Sequence, residues 1–207
     1  MQINNKRSVV KTSDQDIADN LKLWFNSASQ ENQSGGMQWY IEAQEHCKQK
    51  AEEYNMTTYS YAEIVSITSV NNKWKRNKID AESCVQAYQA GLQPEDIKIC
   101  TYNSNKEKAF RVLDKTQILG ITSPKTHAFA SNVGLNSPHH ITIDKHHLRA
   151  CVTKPAEGVV PDVVTSCTAK QYRRIEAITA QLANEQGLKG YQYQAIIWLT
   201  IKENWNR

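Results

Sequence analysis

The sequence predicts an all-α protein. Only 8 Gly and 5 Pro punctuate its 207 residues, and the long stretches between them repeat their apolar residues at helical rather than alternating spacing. Taken in order, a first short helix is expected over residues 14–25. Residues 26–36, rich in Asn, Ser and Gln and ending Gly35-Gly36, read as a loop. Residues 37–54 form a helix with Trp39, Tyr40, Ala43, Cys47 and Ala51 along one face. Residues 59–69 carry Ala62, Ile64, Val65 and Ile67 and predict a buried helix, with their β-branched content leaving a strand as the alternative. A helix over 72–90 stops at Gly91, the preferred residue just past a helix end. Residues 92–96 open a short element, and 105–114 predict another helix.

Residues 116–124 then form a turn punctuated by Gly120 and Pro124, followed by a helix over 126–133 and a loop through Asn136-Ser137-Pro138. Ile141-Thr142-Ile143 alternates briefly. Residues 144–152 are helical, with Asp144 placed to cap them. Pro155, Gly158 and Pro161 make 153–166 an irregular connection. A long helix over 168–186 puts Ile175, Ile178, Leu182 and Ala183 on its apolar face, and Gly187 and Gly190 bracket a tight link to a last helix at 191–205.

Composition narrows the classes of function. The chain is 40% hydrophobic and 22% charged, enough for a folded core and unlike a disordered chain. No apolar run approaches the roughly 18–20 residues that cross a bilayer. Met1 to Arg7 lack the apolar stretch of a signal peptide, so a cytoplasmic location is expected. Twenty-five Lys and Arg against 21 Asp and Glu give a net charge of +4, a mild excess that does not by itself imply nucleic acid. It is concentrated at residues 73–78 and 145–149. The five cysteines, Cys47, Cys84, Cys100, Cys151 and Cys167, form no CxxC pair, which suits free thiols in a reducing compartment. His139, His140, His146 and His147 lack a carboxylate or cysteine at ligand spacing, so no metal and no other cofactor is expected. Trp39, Trp74, Trp198 and Trp205 are expected in the core or between lobes.

The segment from Gln117 to Arg149 carries the chemistry. It reads Gln117-Ile118-Leu119-Gly120-Ile121-Thr122-Ser123-Pro124-Lys125-Thr126, then a helix, then Ile143-Asp144-Lys145-His146-His147-Leu148-Arg149. A helix, a tight turn and a second helix entered through Pro-Lys-Thr form a device for holding a phosphate on outward-pointing backbone N–H groups. Such contacts hold a nucleic-acid backbone without reading its bases.

This segment resembles the helix-hairpin-helix DNA glycosylases, the endonuclease III-like superfamily, whose signature is Leu-x-Gly-Val-Gly-x-Lys-Thr-Ala, a helix, and Asp-Thr-His-x-x-Arg. Leu119, Lys125 and Thr126 match its first part, and Asp144, His146 and Arg149 its second, with Lys125 and Asp144 19 residues apart. Trp74 and Asn77 are similar to an early Trp-x-x-Asn pattern, and the resemblance extends over about 60–200, with 119–149 its specific part. The family's hairpin glycines fall at Ile121 and Ser123 here, and Gly120 is one place out of register. Its four-cysteine cluster loop is absent, so no iron–sulfur centre is inferred.

The resemblance implies a two-lobed all-α fold, with residues 1–55 as family-specific N-terminal helices and 56–207 as the glycosylase-like domain, its hairpin at about 115–126. It implies a monomer acting on double-stranded DNA, flipping a base and breaking its N-glycosidic bond. Lys125 would be the nucleophile, forming a Schiff base, and Asp144 the carboxylate that stabilises the sugar cation and handles the proton. Lysine at that position implies a glycosylase with lyase activity on a damaged or modified base, in a specialised branch such as a phage carries. Gly120, Ser123, Thr126, His146, Arg149, Lys73 and Arg76 would contact DNA. Two other functions share the scaffold: a catalytically silent DNA-binding protein, and an enzyme that exchanges or modifies the base.

Overall fold

The computed structural model describes residues 6–117, 119, 123–158, 160 and 162–205. Among them are nine α-helices, two short 3-10 turns and no strand, with one isolated parallel bridge between Arg7 and Val163. The chain is all-α. It divides into two compact units, one of residues 1–41 with 138–207, the other of residues 42–137.

The first unit contains α1 (Asp14–Asn26), the start of α2 (Gln30–Glu53), α7 (Lys145–Ala150), α8 (Ala169–Glu185) and α9 (Gly190–Trp205). Ser13 starts α1 by accepting the Asp16 N–H on its hydroxyl, and Asp14 and Asp16 place negative charge at the positive end of the helix. Ile17, Leu21 and Trp24, at helical spacing, are fully buried as α1 packs on α8 and α9. Burying side chains of this size contributes about 1.5–3 kcal/mol each. The polar edge of Trp24 is satisfied too, its Nε1–H donating to Thr153 O at 2.9 Å. Thr168 and Gln171 form a reciprocal capping box at the start of α8. Among the described tryptophan side chains the core encloses Trp24, while Trp39, Trp74 and Trp198 are half-buried; the Trp205 side chain lies outside the described ones.

Helix α2 corrects the expected loop over 26–36. It begins at Gln30 and runs through Gly35 and Gly36. The two glycines reflect close approach rather than a turn. A Cβ on Gly36 would lie 2.5 Å from Ile196 Cγ1 and 2.6 Å from the Ile196 backbone nitrogen, so only glycine lets α2 meet α9 there. That contact lies far away in sequence, and local propensity does not report it.

The second unit contains the rest of α2, α3 (Thr58–Thr68), α4 (Trp74–Gln89), α5 (Asn103–Leu113) and α6 (Pro124–Gly134). Thr57 caps α3 through the Ser60 N–H. From residue 61 to 68 every residue of α3 is buried, because the helix packs against α4, α5 and α6. Burial on all sides explains its β-branched, non-amphipathic sequence, and the strand alternative falls. α4 ends at Gln89, with Gly91 at φ +74° just beyond it. Pro124 is the first residue of α6 rather than the close of the preceding turn, a position where its missing N–H costs nothing. α7 stops at Ala150, two residues short of the expected end. No described helix is long and apolar enough to cross a membrane.

Gly36→Ala is expected to destabilise the protein by about 2 kcal/mol or more, because the added methyl meets backbone. Gly35→Ala meets only the flexible end of Leu199 at 3.2 Å and gains helix propensity of about 1 kcal/mol, so it is expected to be neutral within about 1 kcal/mol. Urea unfolding of the two variants measures the contrast.

Candidate functional site

The described residues singled out in the sequence fall on three helices, α4 and α6 in the second unit and α7 in the first. In the second unit, Ser123 is the N-cap residue of α6, and its backbone carbonyl accepts the His127 N–H at 3.0 Å. Its hydroxyl makes no capping bond and instead accepts from Lys108 Nζ of α5 at 3.2 Å. Lys125 is exposed on the first turn, and Thr126 is half-buried, its carbonyl accepting from Ser66 Oγ of α3 at 2.6 Å. Gly120, Ile121 and Thr122, where the sequence predicts the hairpin turn, lie outside the described residues. Leu119 is described and buried, its N–H reaching Glu63 Oε1 at 3.4 Å.

Two further titratable groups, Glu63 and Lys108, sit against Leu119 and Ser123. Glu63 is 8% exposed, and burial raises its carboxyl above the usual range, partly offset by the Leu119 N–H. Burial lowers the Lys108 ammonium, and Arg111 adds to the effect. Their signal is a Glu within a largely apolar run and a Lys about two turns before the expected hairpin.

In the first unit, Asp144 caps α7. Its Oδ1 accepts the N–H groups of His146 at 3.0 Å and His147 at 2.9 Å, so the carboxylate is held at the positive end of the helix in a fixed orientation. Tyr40, 2% exposed, lies close by, its hydroxyl within 3.3 Å of Gln194 Oε1. Burial pushes its phenol up, a hydrogen bond with Thr142 opposes the rise, and the Asp144 charge adds to it. His146 is half-buried, and burial lowers its imidazole against the opposing pull of Asp144. Arg149 is half-buried in the same helix.

His147 is fully buried. Its Nε2 lies 3.0 Å from Thr179 Oγ1, and the Thr179 hydroxyl donates to Ile175 O. The histidine is therefore the donor, protonated on Nε2, and its buried Nδ1 has no hydrogen-bond partner. Burial lowers its pKa to about 4.

Lys73 and Arg76 lie at the start of α4, both exposed. Arg76 Nε donates to the buried carboxylate of Asp80 at 2.7 Å. The Trp74–Asn77 pair of the resemblance resolves into a half-buried ring and a buried amide, the latter accepting from Thr68 Oγ1 at 2.7 Å and donating to Val65 O at 3.0 Å. No group of three His, Cys, Asp or Glu among the described residues could hold a metal ion.

One family, described as being of unknown function (DUF7178), matches residues 2–205. The chain belongs to that family. No curated protein and no solved structure matches it. Because the match runs through both units, Lys125 and Asp144 alike lie within the family's span.

The buried histidine makes stability depend on pH. With its folded pKa near 4 and an unfolded value of about 6.5, His147 takes up a proton on unfolding anywhere between those limits. Its stabilising effect is complete above about pH 6.5 and is lost as pH falls toward 4, a decrease of about 2 kcal/mol between pH 7 and pH 5. Replacing it in His147→Gln is expected to reduce the pH dependence by that amount, measured as the difference in urea unfolding at the two pH values.

Proposed function

We propose that this chain is a DNA N-glycosylase with lyase chemistry, in which Lys125 is the nucleophile and Asp144 the carboxylate partner. The observation that carries the reading is how Asp144 is held. The first residue of the Asp-x-His-x-x-Arg pattern caps α7 with one oxygen bound by two N–H groups. A carboxylate so fixed need not reorganise as positive charge develops on a sugar. Lys125, on the first turn of a helix whose start is tied to α3 and α5, supplies the amine.

The chemistry follows from those groups. The Lys125 ammonium loses its proton to water, and the freed amine attacks the anomeric carbon of a flipped nucleotide. The N-glycosidic bond breaks, and the base leaves with its electron pair and picks up a proton. Opening of the sugar ring gives a Schiff base between Lys125 and C1′. Loss of the proton at C2′ then expels the 3′ phosphate, and water releases the lysine.

A second reading, a DNA-binding protein without catalysis, is favoured by one observation. Lys125 is exposed, and a solvated ammonium at a helix start is suited to a backbone phosphate.

Borohydride trapping on duplexes carrying a panel of damaged and modified bases separates the two. The glycosylase reading expects a covalent adduct in the wild type that disappears in Lys125→Ala. It also expects turnover to fall about 100-fold or more in Asp144→Asn, with little change in thermal unfolding, because asparagine caps a helix as well as aspartate. Duplex binding with neither adduct nor released base across the panel would establish the binding protein instead.

A further inference from the structure

The second unit carries a cationic depression that neither the hairpin nor α7 explains. It is open, with a volume of about 410 Å³, and is lined by Arg76 of α4, residues 95 and 97–100 of the α4–α5 connection, and Lys106 of α5. Arg76, Lys98 and Lys106 share it with one exposed carboxylate, Glu95. Apolar surface comes from Ile97 and Ile99.

The charges are mounted on a buried support. Asp80 is 0% exposed, and both its oxygens are engaged. Oδ1 accepts from Arg76 Nε at 2.7 Å, and Oδ2 accepts from Asn72 Nδ2 at 2.8 Å and from the Cys100 backbone N–H at 3.0 Å. One carboxylate thus fixes the arginine and the end of the 97–100 segment together. At the other end, Lys106 Nζ donates to Ile97 O at 3.0 Å. Because Asp80 holds Arg76 through Nε, the two Nη nitrogens stand outside that contact. A paired set of guanidinium donors flanked by two ammonium groups matches a phosphate, whose several oxygens accept from different directions.

We propose that this depression binds a phosphate group, and that on DNA the group is a backbone phosphodiester contacted by Arg76, Lys98 and Lys106. The assignment rests on DNA as the partner, which the catalytic and the non-catalytic readings share. It extends the basic surface from the residues at the start of α4 to Lys98 and Lys106.

The test uses the full chain with Lys98→Gln, Lys106→Gln and the double variant. Arg76 is left in place because its removal would strand the buried Asp80 charge. Fluorescence anisotropy on a labelled short duplex across a salt series gives the slope of log K against log salt. Each substitution is expected to reduce that slope by about one and the double variant by about two. Lys48→Gln, an exposed charge on α2, is expected to leave it unchanged, which excludes a mere effect of net charge.

Titration with inorganic phosphate, followed by the amide resonances of Ile97 and Cys100, forms the second arm. Saturating shifts that vanish in the double variant, without a change in the DNA slope, would keep the phosphate site and assign it to a free phosphate ester. An unchanged slope together with no phosphate-dependent shift would overturn the proposal, as would a wild type that binds neither duplex nor phosphate. Failure of borohydride trapping with an altered salt slope removes the glycosylase reading and leaves this one standing. Successful trapping with an unaltered slope and no shift does the reverse.

Discussion

Helix α3 has no solvent-facing side over residues 61–68, yet three of those residues, Glu63, Ser66 and Thr68, are polar. Each must find a partner inside the protein, since an unsatisfied buried group costs about 1–3 kcal/mol. The partners are the elements around it. Glu63 takes the Leu119 N–H, Ser66 donates to Thr126 O, and Thr68 meets the Asn77 amide, which in turn donates to Val65 O. Apolar burial would hold α3 in the middle of its unit without specifying how its neighbours are rotated. The polar contacts add that specification, and two of them reach the segment on either side of Lys125. The start of α6 is positioned from beneath by α3 and from the side by Lys108.

The first unit solves the same problem in the other direction. Residues 141–144 belong to no helix, so their backbone groups lack regular partners. Side chains of α8 supply them. Glu176 Oε1 accepts the Ile141 N–H at 3.1 Å, while the Tyr172 hydroxyl donates to Ile141 O at 2.7 Å and accepts the Ile143 N–H at 3.1 Å. Thr179, one turn further along, receives His147. A single face of α8 therefore holds the chain on both sides of Asp144, and Asp144 has only to complete the start of α7. The same features that satisfy an irregular segment place a carboxylate, and the shortness of α7 leaves little slack in where that carboxylate points.

What the sequence revealed and what it hid follow from how far each cause acts. The helix cap at Asp144 involves partners two and three residues away, so the pattern of residues exposes it. The stop at Gly91 is equally local. The reason for Gly36 in α2 lies at Ile196, 160 residues downstream, so the local pattern suggests a loop instead. Glu63 and Lys108 are hidden for a related reason. A charged residue in an apolar helix or on a mixed one acquires meaning only when the fold sets it against a particular backbone group. Asp80 is a third instance, ordinary in sequence and the sole carboxylate with 0% exposure among the described residues. Of the proposed site, the motif residues could be read directly, but the groups that support them could not.

The division of the chain has a consequence for the order in which it is made. Residues 42–137 form one compact unit, interrupting another whose parts come from residues 1–41 and 138–207. The inner unit is built from one continuous stretch of chain. The outer one must wait: α1 packs on α8 and α9, so Ile17, Leu21 and Trp24 emerge from the ribosome long before the surfaces that cover them exist. Since domains fold as units during synthesis, the interrupted unit passes through a stage with an amphipathic helix displayed and its partners unmade, while the inserted one is already complete.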